Sequence, residues 1–171
     1  MTDIIPEFSR PVPLARLGSA PFRQQIEATP GEREKLSRRF DLLALVRLTA
    51  AVELRRQGDE LIVLDAAYEA EFVQSCVATL EPVADAISER FLLVYGPAEA
   101  EQQETGWLPD EAAFEQLNGD VIDIGEAVAQ ELSLSLPVLP RHPEARIDGE
   151  TPVESFGTFA SLAHLKQRRE D

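Results

Sequence analysis

The groups able to do chemistry in this chain are few. Cys76 is the one thiol among 171 residues, and His142 and His164 are the only imidazoles. A thiol activated by an imidazole is a nucleophile. Nothing in Leu139-Pro140-Arg141-His142-Pro143 positions His142 for that task, however, and His164 lies near Leu162 and Leu165 in the tail, as an exposed helix residue would. There is no glycine-rich phosphate loop and no His-Glu-x-x-His pair. Carboxylates are plentiful, but no pair stands apart from the acidic background, so no acid–base residues are assigned. Cys76 reads as a packed strand-end residue. The inventory predicts a protein that acts by binding, with no catalytic residue, no cofactor and no metal.

Charge is the strongest signal. The net charge is −15. Residues 1–56 hold 10 basic and 7 acidic side chains, whereas residues 57–140 hold one basic residue, Arg90, against 18 acids. Such a segment repels polyanions within a Debye length of roughly 8 Å, and nucleic-acid affinity comes largely from phosphate neutralisation. Direct RNA binding through the middle of the chain is disfavoured. Two readings stand: a solvated acidic surface that keeps the protein soluble, or a docking face for a basic partner. Basic surface remains at the two ends, where Arg38, Arg39, Arg168 and Arg169 are the candidate RNA contacts.

The elements that would position these groups follow from periodicity. Phe8, Arg10, Val12 and Leu14 share one parity and Pro11 and Pro13 the other, which predicts an edge strand over 8–14. Pro21 marks a loop. Thr29-Pro30-Gly31-Glu32 is a helix start with a capping box, predicting a helix over 30–41. Val46, Leu48, Ala50, Val52 and Leu54 alternate with polar or small residues, the period of a half-buried strand over 44–56. Ile62, Leu64, Ala66, Tyr68, Ala70 and Phe72 repeat the pattern over 60–73. Both apolar sets are even-numbered, so the hairpin must pair positions of even sum. Closure at Arg56 and Glu60 around Gly58 sets Arg47 opposite Glu69. A third extended run covers 77–95, broken at Pro82. Residues 97–109 read as an acidic mobile loop, with Trp107 as an anchor, and one or two helical turns follow over 109–117. Asp123-Ile124-Gly125-Glu126 is a second capping box opening a helix over 124–135, with Ile124, Ala127, Val128 and Leu132 inward. Residues 140–155 read as a proline-containing linker, and Phe159, Leu162, Ala163 and Lys166 predict a short helix over 158–167.

Three segments together resemble the YceD family, the large ribosomal RNA subunit accumulation proteins, in their bacterial form. They are Ser75-Cys76-Val77-Ala78-Thr79-Leu80-Glu81-Pro82-Val83; Asp123-Ile124-Gly125-Glu126 running through Glu131-Leu132 to Leu136-Pro137; and Phe159-Ala160-Ser161-Leu162-Ala163-His164-Leu165-Lys166. In order and spacing the resemblance covers about residues 7–168. It implies a non-catalytic role in synthesis, processing or stability of large-subunit (23S) ribosomal RNA, and Cys76, Leu80, Glu81, Pro82, Asp123, Glu126, Phe159, Leu162 and Lys166 as family-motif or binding candidates. Many members carry Cys-x-x-Cys in the first motif and a second cysteine cluster after the Leu-Pro, which implies a metal site in them. This chain has Thr79 at the second cysteine position and Pro140, Arg141 and His142 after Leu136-Pro137. One thiol and one histidine cannot supply four zinc ligands, so the metal does not carry over.

The expected fold is α+β: one domain, an antiparallel sheet of about four strands with room for strong curvature, and two or three flanking helices. The longest apolar runs are five residues, far short of the roughly 20 of a membrane helix, and the first ten residues lack a leader pattern. A cytoplasmic protein without membrane contact is expected. The predicted partners are a basic ribosomal protein or assembly factor, with ribosomal RNA met directly or indirectly. The alternatives are an acidic interaction module or chaperone for another basic client, and an undetected hydrolase.

Overall fold

Two long strands with one apolar parity each can bury only one face, and the rest of the chain is arranged to cover it. The computed structural model describes residues 6–58, 60–98 and 112–145. Within them the elements are β1 (Pro11–Pro13), a 3-10 turn (Leu14–Arg16), β2 (Phe22–Glu27), α1 (Pro30–Arg39), β3 (Ala44–Gln57), β4 (Leu61–Ser75), β5 (Pro82–Gly96), β6 (Ala113–Gln116), β7 (Val121–Asp123) and α2 (Ile124–Ser135). Trp107, nearly all of the 97–109 loop, residues 146–155 of the linker, and the 158–167 helix with Phe159, Leu162, His164 and Lys166 lie outside the described residues, as do Arg168 and Arg169.

The sheet has the order β2-β3-β4-β5-β6, antiparallel except for the parallel β5–β6 pair. It is therefore five-stranded and mixed, and it is not strongly curled. The expected all-antiparallel four-stranded sheet is corrected in both respects. β2 has no legible apolar period, because of its residues, Phe22-Arg23-Gln24-Gln25-Ile26-Glu27, only Ile26 is buried. β6 falls where helical turns were expected. β5 begins only at Pro82, because Cys76–Glu81 forms the turn from β4. The 8–14 piece does not join the sheet: β1 pairs with β7 in a separate ribbon, Val12 opposite Ile122. Its parity holds, with Phe8 and Val12 buried and both prolines exposed.

The β3–β4 hairpin pairs positions of even sum, as the parity argument requires, but two residues further along. Gln57 faces Leu61, and Arg47 faces Glu71. The three-residue loop begins at Gly58, whose φ of 65° is the left-handed conformation a glycine adopts without strain. Arg47 reaches both Glu69 (3.7 Å) and Glu71 (3.8 Å). A bulge between Leu45 and Arg47 turns Val46 outward, 52% exposed, and Leu45 takes the inward place expected for Val46. From Leu48 to Leu54 and from Ile62 to Phe72 the even positions are buried.

The covering layer is α1, α2 and the β1–β7 ribbon. In α1, Thr29 caps with the full reciprocal box, Pro30 occupies the first turn, and Leu36 is the buried residue. The helix stops at Arg39: Phe40 caps it, Asp41 takes a φ of 54°, and the Leu42 N–H returns to the Ser37 carbonyl. In α2 the expected residues Ile124, Ala127, Val128 and Leu132 are all buried, joined by Gly125 and Ala129. Side chains from both layers form one core, in which Phe8, Leu36, Leu48, Leu54, Leu64, Phe72 and Leu132 are almost fully enclosed. Each such side chain contributes about 1.5–3 kcal/mol over its exposed state.

The N-terminal segment is held between the two helices. A β-carbon at Gly125 would stand 2.3 Å from the Phe8 carbonyl oxygen, inside any permissible contact. Gly125→Ala is expected to lower stability by about 1–3 kcal/mol, because the obstacle is backbone rather than a movable side chain. Gly18→Ala, where no atom lies within 4 Å, should stay within about 0.5 kcal/mol of the parent. Thermal or urea melts of the two variants check this.

Candidate functional site

The turn Cys76–Glu81 is built around its sulfur. β4 ends at Ser75, the Leu80 N–H bonds the Cys76 carbonyl, and the Cys76 N–H bonds the Glu81 carbonyl. Leu80 closes the turn at a φ of 61° and is 78% exposed. The segment after α2 runs alongside. Gln74 Nε2 donates to the Pro137 carbonyl (3.1 Å), Val77 N–H to the Pro140 carbonyl (2.9 Å), and His142 N–H to Cys76 Sγ (3.3 Å). The first motif and the Leu-Pro segment of the second are thus in contact. Cys76 has no solvent exposure, which opposes ionisation. The donated His142 N–H, then the Thr79 hydroxyl and the Ala78 and Thr79 N–H groups, outweigh that burial and lower its thiol from 9.0 to about 6. His142 contributes its backbone here; its Nδ1 accepts the Glu144 N–H. Among the described residues no group of three or more His, Cys, Asp or Glu side chains is placed to hold a metal ion.

The same end of the molecule carries exposed apolar side chains. Val77, Leu80, Val138 and Leu139 project from the two joined segments, Val138 at 90% exposure, and Leu134 from the last turn of α2. A cavity of about 550 Å³ opens beside them, lined in part by Phe40, Ser75, Val77, Leu136, Pro137 and Pro140. Val77 and Val138 line this cavity together, and exposed apolar side chains so placed suit contact with another macromolecule.

The Asp123 motif has an architectural role. Asp123 Oδ1 accepts the Gly125 and Glu126 N–H groups at the start of α2 and also the Arg10 N–H (2.7 Å). Its other oxygen accepts the Ser9 hydroxyl (2.5 Å). The expected capping box is only half formed, because Glu126 turns away to Arg39. Arg39 donates to Glu126 at 2.8 and 3.0 Å and to Glu7 at 2.9 Å. Arg10 forks onto Glu32 at 2.7 and 3.0 Å, which holds the Glu32 carboxyl down at about 2. Arg39, a candidate RNA contact, therefore ties α1, α2 and the N-terminal segment together. Arg38 is 71% exposed and meets only Glu34, itself exposed. The partners Ser9 and Arg10 escaped the sequence reading, since no local pattern marks a contact across more than 110 residues.

The acids of the middle segment divide into two sets. On the open sheet face they are answered by arginines: Asp65 by Arg90, Glu69 and Glu71 by Arg47, with Glu53 and Arg23 beside them. Around β5, β6 and α2, apart from Glu126 with Arg39, they are not. Among the described residues, Asp85, Glu89, Glu115 and Glu131 form no ion pair with a basic side chain. Burial, then the charges of Glu89 and Glu115, raise the Glu131 carboxyl. Tyr68 donates its hydroxyl to Ser135 Oγ (2.8 Å), Ser135 in turn donates to Glu89 (2.6 Å), and the Tyr68 oxygen lies 3.2 Å from the same carboxylate. Burial and this neighbourhood push Tyr68 up to about 12.

The fold defines the class, an α+β protein whose mixed sheet, among the described residues, is covered on one face and open on the other. Residues 64–166 match the family described as Large ribosomal RNA subunit accumulation protein YceD, and the chain belongs to that family. The match starts within β4 and takes in the cysteine turn and α2. Comparison with curated proteins and with solved structures finds no match. No helix among the described residues is long and apolar enough to cross a membrane.

The sulfur's environment has a measurable consequence. Because the folded value lies below the unfolded one, the stabilisation from the Cys76 thiolate is complete above about 9 and is lost as pH falls through about 6. Thiolate absorbance of the native protein should rise with a midpoint near 6, while alkylation stays slow until the turn opens. A midpoint at the ordinary thiol value would show that the donors do not act on the sulfur.

Proposed function

We propose that this protein is a non-catalytic factor in biogenesis of the large ribosomal subunit, acting in the cytoplasm by docking a basic ribosomal protein or assembly factor. The observation that carries the reading is the unanswered carboxylate group of Asp85, Glu89, Glu115 and Glu131. Glu89 and Glu115 press their charge on Glu131, an incoming cation relieves that repulsion, and such surfaces steer and select basic partners. The family description supplies the ribosomal setting. The apolar side chains around Val77, Leu80 and Val138 supply surface that a protein partner can cover. A basic client held this way is shielded from RNA until assembly releases it. Ribosomal RNA is met through the basic ends of the chain, Arg38, Arg168 and Arg169, and not through the acidic middle.

Replacing Glu89, Glu115 and Glu131 together by lysine is expected to weaken capture of basic proteins by roughly tenfold or more, with native melting retained. Capture by the parent should fall steeply as salt rises. Cells lacking the protein should show a specific shortage of large subunits in a ribosome profile. A normal profile with intact capture of some other basic protein would favour the chaperone reading. Replacing Arg38, Arg168 and Arg169 should reduce RNA association and leave protein capture unchanged. Arg39 is left in place because its loss would open the contact between α1 and α2.

A further inference from the structure

We infer that the open edge of β5 takes up an extended, lysine- or arginine-rich protein segment as a sixth strand, a mode of docking that rests on the acidic-partner reading above. β6 pairs with β5 only at Leu93–Gly96. Among the described residues no strand pairs with the outer edge of β5 from Pro82 to Phe91, although the inner edge is paired with β4 throughout. The direction of the backbone groups on this edge follows from two contacts. The Gly96 carbonyl accepts the Leu117 N–H on the β6 side, and the Ala86 N–H is turned to its own neighbour, Asp85 Oδ1, at 2.8 Å. Even-numbered groups therefore point outward, and Ala84, Ala86, Ser88 and Arg90 present donors and acceptors to solvent.

Nothing bulky guards this edge. Ala84, Ala86 and Ser88 are small and exposed, whereas edges are commonly protected by lysines, prolines or bulges. Pro82 lies at the very start, and the one cation, Arg90, is folded back onto Asp65 at 2.7 Å. Ten free residues span roughly 33 Å, ample for a recognition segment. The side chains along the edge choose the occupant. Asp85 and Glu89 lie opposite Phe72 and Tyr68 and so on the helix-covered side, Glu89 near Glu131. On the open side Ala86 and Ser88 lie opposite Glu71 and Glu69. A sixth strand would thus meet free carboxylates on its covered side, while those of the open side, one strand further in, are shared with Arg47. The Asp85 contact is itself exchangeable: an incoming carbonyl takes the Ala86 N–H, and an incoming ammonium takes the freed carboxylate. The other sheet edge, β2, has six residues and carries Arg23, so it offers a basic segment less length and a like charge.

The probe is a ten-residue peptide alternating lysine with threonine, added to the full-length protein. Amide hydrogen exchange should show Ala84, Ser88 and Arg90 fast in the free protein and protected on binding. Ala86→Pro removes only an outward N–H, so the fold should persist while affinity drops roughly tenfold or more. Should that variant fail to fold, the same peptide N-methylated at alternate residues keeps its charge but not its donors, and it should bind the parent at least as weakly. A peptide with glutamate in place of lysine should not bind. Equal binding of the N-methylated peptide, or of the parent peptide to a folded Ala86→Pro protein, would overturn strand addition and leave acidic docking standing. Protection of these amides already in the free protein would show that the chain covers its own edge, which also overturns the inference. Failure of both peptides to bind would overturn the inference and the docking reading together.

Discussion

The constraint on which this molecule depends is one-sided burial. β3 and β4 carry their large apolar side chains on even positions over more than twenty residues, so one face of the sheet must be dry and the other cannot be. Two helices and a short ribbon provide the cover. They come from distant parts of the chain, and they are joined by ion pairs and a cap rather than by a large mutual interface. Arg39 reaches α2 through Glu126, Arg10 reaches α1 through Glu32, and Asp123 gathers the Ser9 and Arg10 groups at the start of α2. Because Gly125 lets the Phe8 backbone lie directly against the helix, the acids and bases of this seam are part of the architecture and are not available to a partner.

That allocation changes how the charge is read. A net charge of −15 suggests a uniformly repulsive body. In three dimensions most acids of the open sheet face have arginines beside them, and the seam uses up others. The carboxylates left over sit around β5, β6 and α2, next to a sheet edge that has no neighbour among the described residues and on the same molecule as the apolar turn at Cys76. Coulomb attraction, free backbone groups and apolar surface act on a partner at different ranges, the first for encounter and the others for register and retention.

The cysteine turn joins two segments far apart in the chain through a single sulfur. Donor groups surround the sulfur as they would surround a metal-bound thiolate, and the segment after α2 closes over it. Thr79 stands where a second thiol would complete a pair, and its hydroxyl lies beside Cys76 while donating to Glu81 (3.1 Å). The turn joins the sheet to the segment after α2 through one buried acceptor, the Cys76 sulfur.

Local rules made much of the fold legible. The capping box at Thr29, the 3.6-residue spacing from Ile124 to Leu132 and the period-two runs in β3 and β4 are properties of neighbouring residues, and each produced the element expected of it. The even-sum pairing of the hairpin was legible for the same reason, since a slip of one residue would expose every inward side chain. A slip of two exposes none, so parity alone left the register open; the turn at Gly58 and the bulge at Val46 settled it. β2 and β6 were hidden because their residues bury little and become strands only where a neighbour offers hydrogen bonds. Composition and order along the chain determined that the middle is anionic, that α1 and α2 exist, and that one sheet face is apolar. Only the tertiary structure decided which charges are spent: most pairs join residues tens of positions apart, up to Arg39 and Glu126, and Coulomb energy is set by distance in space and not by sequence order.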